Sequence, residues 1–182
     1  MLDTFDKILS RVDAWLKDAK ATNAIVIGFN GAAIFGILHL FEMKEFCQCV
    51  FLKYYVTNFI TLSFAGLFIA LISFVPQTRL NWLWRNETSL KKINLLHFGH
   101  LAQLDVGGLI KEISKKLNIS KQEDLGIYQD YAEQIIMNSK ITVRKFDYFR
   151  IAVWFTIGAI ITFPLSIIAY LIFDPNSNSK YK

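Results

Sequence analysis

Charge is scarce in this chain: Asp, Glu, Lys and Arg make up 19% of its 182 residues, against about a quarter in an ordinary soluble domain. Cysteine is scarcer still. The two present, Cys47 and Cys49, are one residue apart, a poor spacing for a mutual disulfide, whose geometry is narrow. Two inert thiols are expected, with an intermolecular bridge as the alternative. No cysteine set for zinc is present, and His97 and His100, three apart, lack the further ligands a metal needs. No phosphate-binding glycine loop and no nucleophile elbow occurs, and Gly107-Gly108 reads as a flexible point or helix start. The sequence therefore points to no catalytic set, no metal and no resident cofactor. A cleavable signal peptide is not expected either, because the first twenty residues carry Asp3, Asp6, Asp13 and Asp18 and no long apolar run.

What is abundant is apolar surface. Hydrophobic residues reach 53%, with 16 Phe, 7 Tyr and 4 Trp. They gather in three uncharged blocks: 18 residues over 24–41, 20 over 56–75 and 23 over 151–173. About 20 helical residues cross a hydrocarbon core of about 30 Å. The reading is an all-α integral membrane protein with three transmembrane helices. The first block is short and can borrow Thr22 and Asn23 or thin the bilayer locally.

Basic residues set orientation. Four precede the first block (Lys7, Arg11, Lys17, Lys20), Lys44 and Lys53 follow it, twelve lie between the second and third, and Lys180 and Lys182 end the chain. A cytoplasmic N-terminus puts sixteen of the twenty basic residues inside. That topology makes 77–148 a cytoplasmic segment, and Trp82 and Trp84 fit an interfacial aromatic belt. The expected organisation is an amphipathic helix over 1–22, two transmembrane helices within 23–76, a helical sensor-like segment over 77–148, a third transmembrane helix over 149–173 and a polar tail over 174–182.

Leu2, Phe5, Leu9, Val12, Leu16 and Ala19 recur at helical steps, so the first helix either lies on the inner membrane surface or runs on into the first span. In that span Ala24, Gly28, Ala32 and Gly36 are each four apart, a stripe that permits close helix approach. Gly66 and Ala70 are a weaker echo in the second span. Asn23 and Asn30 are amides in an apolar block, and helix–helix hydrogen bonding is their first reading, pore lining the second. In the cytoplasmic segment a helix is expected over 106–117, with Asp105 as N-cap and Leu109, Ile113 and Leu117 on one face. Ser120 with Glu123 has capping-box spacing. From Leu125, through Tyr128, Ala132, Ile135, Ser139, Thr142, Phe146 and Phe149 to Val153, the alternation hardly breaks. One long helix is expected to enter the third span, its extramembrane part reaching about 40 Å, with a kink at Pro164.

Three motifs then carry a family resemblance. Asp18-Ala19-Lys20-Ala21 enters the first span and is followed by Asn30. Asn94-Leu95-Leu96-His97-Phe98-Gly99 opens the soluble helices. Asp130 is followed by Gln134, Lys140 and Lys145, with Arg150 entering the last span. Their order and spacing, from about Ser10 to Ile172, resemble those of the transmembrane effectors of bacterial Pycsar antiphage systems, relatives of the membrane effectors of CBASS systems. His97 and His100 depart from the family pattern, which is usually aromatic or amide there. The resemblance implies a protein of the bacterial inner membrane that crosses it several times and acts downstream of a nucleotide cyclase. Told by a cyclic mononucleotide or cyclic oligonucleotide, such a protein disrupts the membrane and the infected cell dies or stops growing.

A ligand pocket would need cations for phosphate and a flat surface for a base. Arg85, Lys91, Lys92, Asn94, His97, Phe98 and His100 supply those groups, and Asp130, Gln134 and Asn138 on the long helix are candidates to face them. For membrane packing or a pore the candidates are Asn23, Gly28, Asn30, Ala32 and Gly36, in a homo-oligomer. The alternative is a non-enzymatic membrane scaffold or assembly protein with the long helix as docking arm.

Overall fold

The computed structural model describes residues 1–41, 50–75, 93–118 and 125–173. Among these residues every regular element is helical: α1 Leu2–Phe41, α2 Val50–Ile72, α3 Phe98–Leu101, α4 Val106–Leu117 and α5 Leu125–Phe173. Cys47 and Cys49, Trp82 and Trp84, the Ser120–Glu123 pair and the tail lie outside them.

The first helix is continuous over 40 residues, so its amphipathic start runs on into the first apolar block. The last is continuous over 49 residues and includes Pro164, as the unbroken alternation predicts. Asp105 caps α4, its Oδ1 accepting the Gly108 N–H at 3.2 Å, which satisfies one of the donors a helix start leaves open. The helix ends on Asn118, in the left-handed region with φ 52°, where its N–H returns to the carbonyls of Ser114 and Lys115. Leu109 and Ile113 are buried as expected, and Ile110 joins them, whereas Leu117 is 39% exposed. The last turn of α4 thus leaves the core.

The chain divides into two compact units. Unit 1 comprises Met1–Thr22 and Val75–Asp147, and unit 2 comprises Asn23–Phe74 and Tyr148–Lys182. Unit 1 is built like a water-soluble domain. Phe5, Ile8 and Val12 of α1 pack with Leu101, Leu109, Ile113 and the α5 residues Ala132, Ile135 and Ile136. The apolar face of the first helix is therefore consumed by a protein core.

Unit 2 differs in carrying large apolar side chains outside as well as polar ones inside. Its interior mixes apolar side chains, Val26, Tyr55, Val56 and Phe59, with small and polar ones: Asn23, Asn30, Ser63, Ala70, Ala152 and Ala159 are all buried. Its outside carries Ile25, Phe29, Phe35, Phe64, Phe68 and Trp154, with Phe35 75% exposed. Water would penalise that arrangement heavily, while lipid removes the penalty and favours small residues between helices. Among the described residues two helices, over Leu2–His39 and Lys53–Ile72, are long and apolar enough to cross a membrane.

Candidate functional site

The Asn94-Leu95-Leu96-His97-Phe98-Gly99 motif forms a tight corner in unit 1. Asn94 Oδ1 accepts the N–H of Leu96 at 2.9 Å, a side-chain turn of the kind asparagine favours. The backbone N–H of Asn94 donates to His100 Nδ1 at 3.0 Å. That assignment makes His100 Nδ1 an unprotonated acceptor and leaves Nε2 to carry the proton. Gly99 fits beneath the His97 ring, for a Cβ there would stand 2.9 Å from His97 Cε1.

The corner presents a column of aromatic rings. His97 stacks on Phe98 with centroids 5.0 Å apart and planes 15° from parallel. Phe98 stacks in turn on Phe146 of α5 at 5.4 Å and 27°. Trp15 of α1 leans on Phe98 at 5.5 Å and on Phe146 at 6.4 Å. His97 is exposed and Trp15 is 40% exposed, so aromatic surface of the column reaches solvent. Such groups stack on a nucleobase. Among the described residues no three His, Cys, Asp or Glu side chains gather as metal ligands would.

Of the sequence-derived candidates, Asn94, His97, Phe98 and His100 come together in this corner. Arg85, Lys91 and Lys92 lie outside the described residues. Asp130 and Gln134 are exposed on α5, and half-buried Asn138 donates from Nδ2 to Asp13 Oδ1 at 2.8 Å. Helix geometry accounts for the spread: each four-residue step turns a further ~40° round the helix, so these three side chains fan out. Trp15, Phe146 and Asp13 complete the neighbourhood without having been singled out, because no local pattern in α1 or α5 marks a ring or carboxylate destined for a distant segment.

The membrane candidates divide between two faces. Asn23 and Asn30 are fully buried. Asn30 Nδ2 donates to the Val26 carbonyl at 3.0 Å and to Thr156 Oγ1 at 2.8 Å, so this amide links α1 to α5 within one chain. Gly28, Ala32 and Gly36 are exposed, and a Cβ on Gly28 or Gly36 would meet nothing within 4 Å. Inside the unit, close packing falls on Gly66 instead, where a Cβ would lie 3.0 Å from the Ala152 carbonyl oxygen.

The Pycsar effector protein domain matches the chain over residues 4–173. No curated protein and no solved structure matches it. The chain belongs to the Pycsar effector family, and its role is that of an effector in antiphage defence.

Proposed function

From that membership we propose that the protein is a non-enzymatic effector of the bacterial inner membrane, switched by a cyclic nucleotide and lethal to the infected cell through membrane disruption. Three spans carry it: the apolar halves of α1 and α5, and α2. The N-terminus and unit 1 face the cytoplasm, where a partner nucleotide cyclase releases the signal. The observation that supports the reading is the apolar exterior of unit 2, with Phe35 and Trp154 outside while Asn30 and Ser63 are buried, in a chain whose unit 1 has a conventional apolar core.

The signal is read at the corner of unit 1. The base stacks on the column of His97, Phe98 and Trp15, and Arg85, Lys91 and Lys92 are the cations offered to its phosphate. A ligand shifts an equilibrium only by binding one state better than the other. The column suits that task because its rings come from α1, α3 and α5, so a base stacked there favours one arrangement of the three. The exposed face of Gly28, Ala32 and Gly36 is suited to close contact with a second copy, and the disrupting species is a homo-oligomer.

The test is made in cells shown to contain inserted protein. Cyclic mononucleotides and cyclic oligonucleotides are supplied in turn while a potential-sensitive dye is followed. One nucleotide is expected to collapse the membrane potential, and His97→Ala with Trp15→Ala is expected to blunt the response. Unchanged potential with every nucleotide sinks the effector mechanism and leaves a scaffold with α5 as docking arm.

A further inference from the structure

The described part of unit 2 contains three side-chain amides, Asn23 and Asn30 of α1 and Asn58 of α2. The first two are fully buried. Asn58 is exposed, and it hydrogen-bonds to no described residue. It lies five residues past Lys53, where the apolar stretch Lys53–Ile72 begins, hence about 7.5 Å inside that stretch.

The hydroxyls beside it are differently placed. Thr57 and Thr61 are exposed too, but each donates to its own helix, at 2.9 Å to the Lys53 carbonyl and at 2.7 Å to the Thr57 carbonyl. Ser63 is buried. Asn58 keeps two N–H donors and a carbonyl oxygen for a partner outside the unit. The surface around it suits close helix contact. Tyr54, Asn58, Thr61, Ala65 and Phe68 follow a 4-3-4-3 alternation and so share one face of α2. Tyr54 and Phe68 are large and exposed, and the three side chains between them are short.

We propose that this face of α2 docks a second copy of the chain, with Asn58 paired to its own counterpart. An amide is self-complementary: across a two-fold axis each N–H meets the other's carbonyl oxygen. The bilayer supplies the register. Two copies inserted alike hold Asn58 at the same depth, which an unrelated helix has no reason to match. Hydrocarbon gives an amide nothing to bond to, and membrane helices associate through short and polar side chains of this kind. The inference rests on the membrane reading above. It adds a joint to the α1 face of Gly28, and a chain with two joints assembles beyond a pair.

For the test, Cys47→Ser and Cys49→Ser remove the native thiols, and Thr61→Cys places one beside the intact Asn58. The full-length protein stays in its cell membranes and is oxidised with copper phenanthroline. Ile161→Cys, at an exposed position of α5, measures random collision. Thr61→Cys is expected to form disulfide dimers well ahead of Ile161→Cys. Adding Asn58→Leu is expected to slow it about tenfold, and Asn58→Gln, which keeps the amide, is expected to slow it much less. If Thr61→Cys is no faster than Ile161→Cys, or if Asn58→Leu changes nothing, the face is turned to lipid and the contact does not exist. If Asn58→Gln slows it as much as Asn58→Leu, the amide is not the link and the proposal falls. Carbonate extraction checks insertion first. A chain that washes out removes the proposed spans and this contact together, whereas failure in an inserted chain removes the contact alone.

Discussion

Asn30 donates to Thr156 Oγ1 at 2.8 Å, and the Thr156 hydroxyl in turn donates a hydrogen bond to the Ala152 carbonyl at 3.0 Å. The same carbonyl stands 3.0 Å from where a Cβ on Gly66 would be. One turn of α5 thus receives α1 through a hydrogen bond and α2 through close contact. In lipid this is a sound way to join three helices, because apolar side chains gain little from meeting one another there.

Thr156→Val removes the acceptor at almost constant volume. A loss of about 0.6 kcal/mol, and at most about 1.7, is expected, read by denaturant unfolding in mixed micelles. Asn30→Leu removes the same bond from the other side. Combined, the two losses are expected to fall short of their sum. Strict additivity would show that the bond contributes nothing.

Gly66 and Gly28 are expected to respond in opposite directions. A methyl on Gly66 collides with a backbone carbonyl, which cannot rotate away, so Gly66→Ala should cost about 1–3 kcal/mol by overpacking. Gly28 has open space around it, and Gly28→Ala should stabilise the helix by up to about 1 kcal/mol. Thermal midpoints in the same micelle decide. Equal effects would contradict the placement of α2 against α5.

Much of this fold is legible in the sequence because it is periodic. The alternation from Leu125 to Val153 declares α5, Asp105 before Val106 declares the start of α4, and an amide such as Asn30 in an apolar block declares a need for a partner. The partner itself is not declared. Nothing near Thr156 or Asn30 names the other, and nothing in α1 ties Trp15 to Phe98, since such contacts depend on how separate helices pack. The small-residue stripe shows the same limit. Spacing identifies a close-packing surface, yet Gly28 and Gly36 lie on an open face while Gly66, with the weaker pattern, makes the tight contact.

Trp15 is the natural reporter for the corner of unit 1. Trp15→Ala should destabilise the unit by about 2 kcal/mol, less than a fully buried aromatic because the ring is part exposed. Trp15→Phe should fold normally. If a cyclic nucleotide stacks on the column, it will change the tryptophan fluorescence of the wild type, and Trp15→Phe will lose most of that change. A fluorescence response that survives the substitution places the nucleotide elsewhere.

The alkaline limb of stability should report on Lys145. Its folded pKa is lowered from 10.5 by burial first and by Lys20 second. Below the folded pKa the lysine is charged in both folded and unfolded chains, and the folded chain bears the whole cost of burial and repulsion. As pH rises through the folded pKa, the folded state sheds its proton first and that cost falls, until the unfolded lysine also titrates near 10.5. Stability therefore rises with pH across that window. Wild type should gain thermal midpoint relative to Lys145→Gln from neutral to alkaline pH, in micelles with uncharged headgroups, while Lys145→Gln is the more stable at neutral pH. Lys7, fully exposed and raised by its hydrogen bond to Asp3, serves as the control, because solvent screening leaves such a pair little influence. Lys7→Gln should track wild type throughout. Parallel curves for wild type and Lys145→Gln would mean that neither burial nor the Lys20 charge perturbs Lys145 in the folded chain.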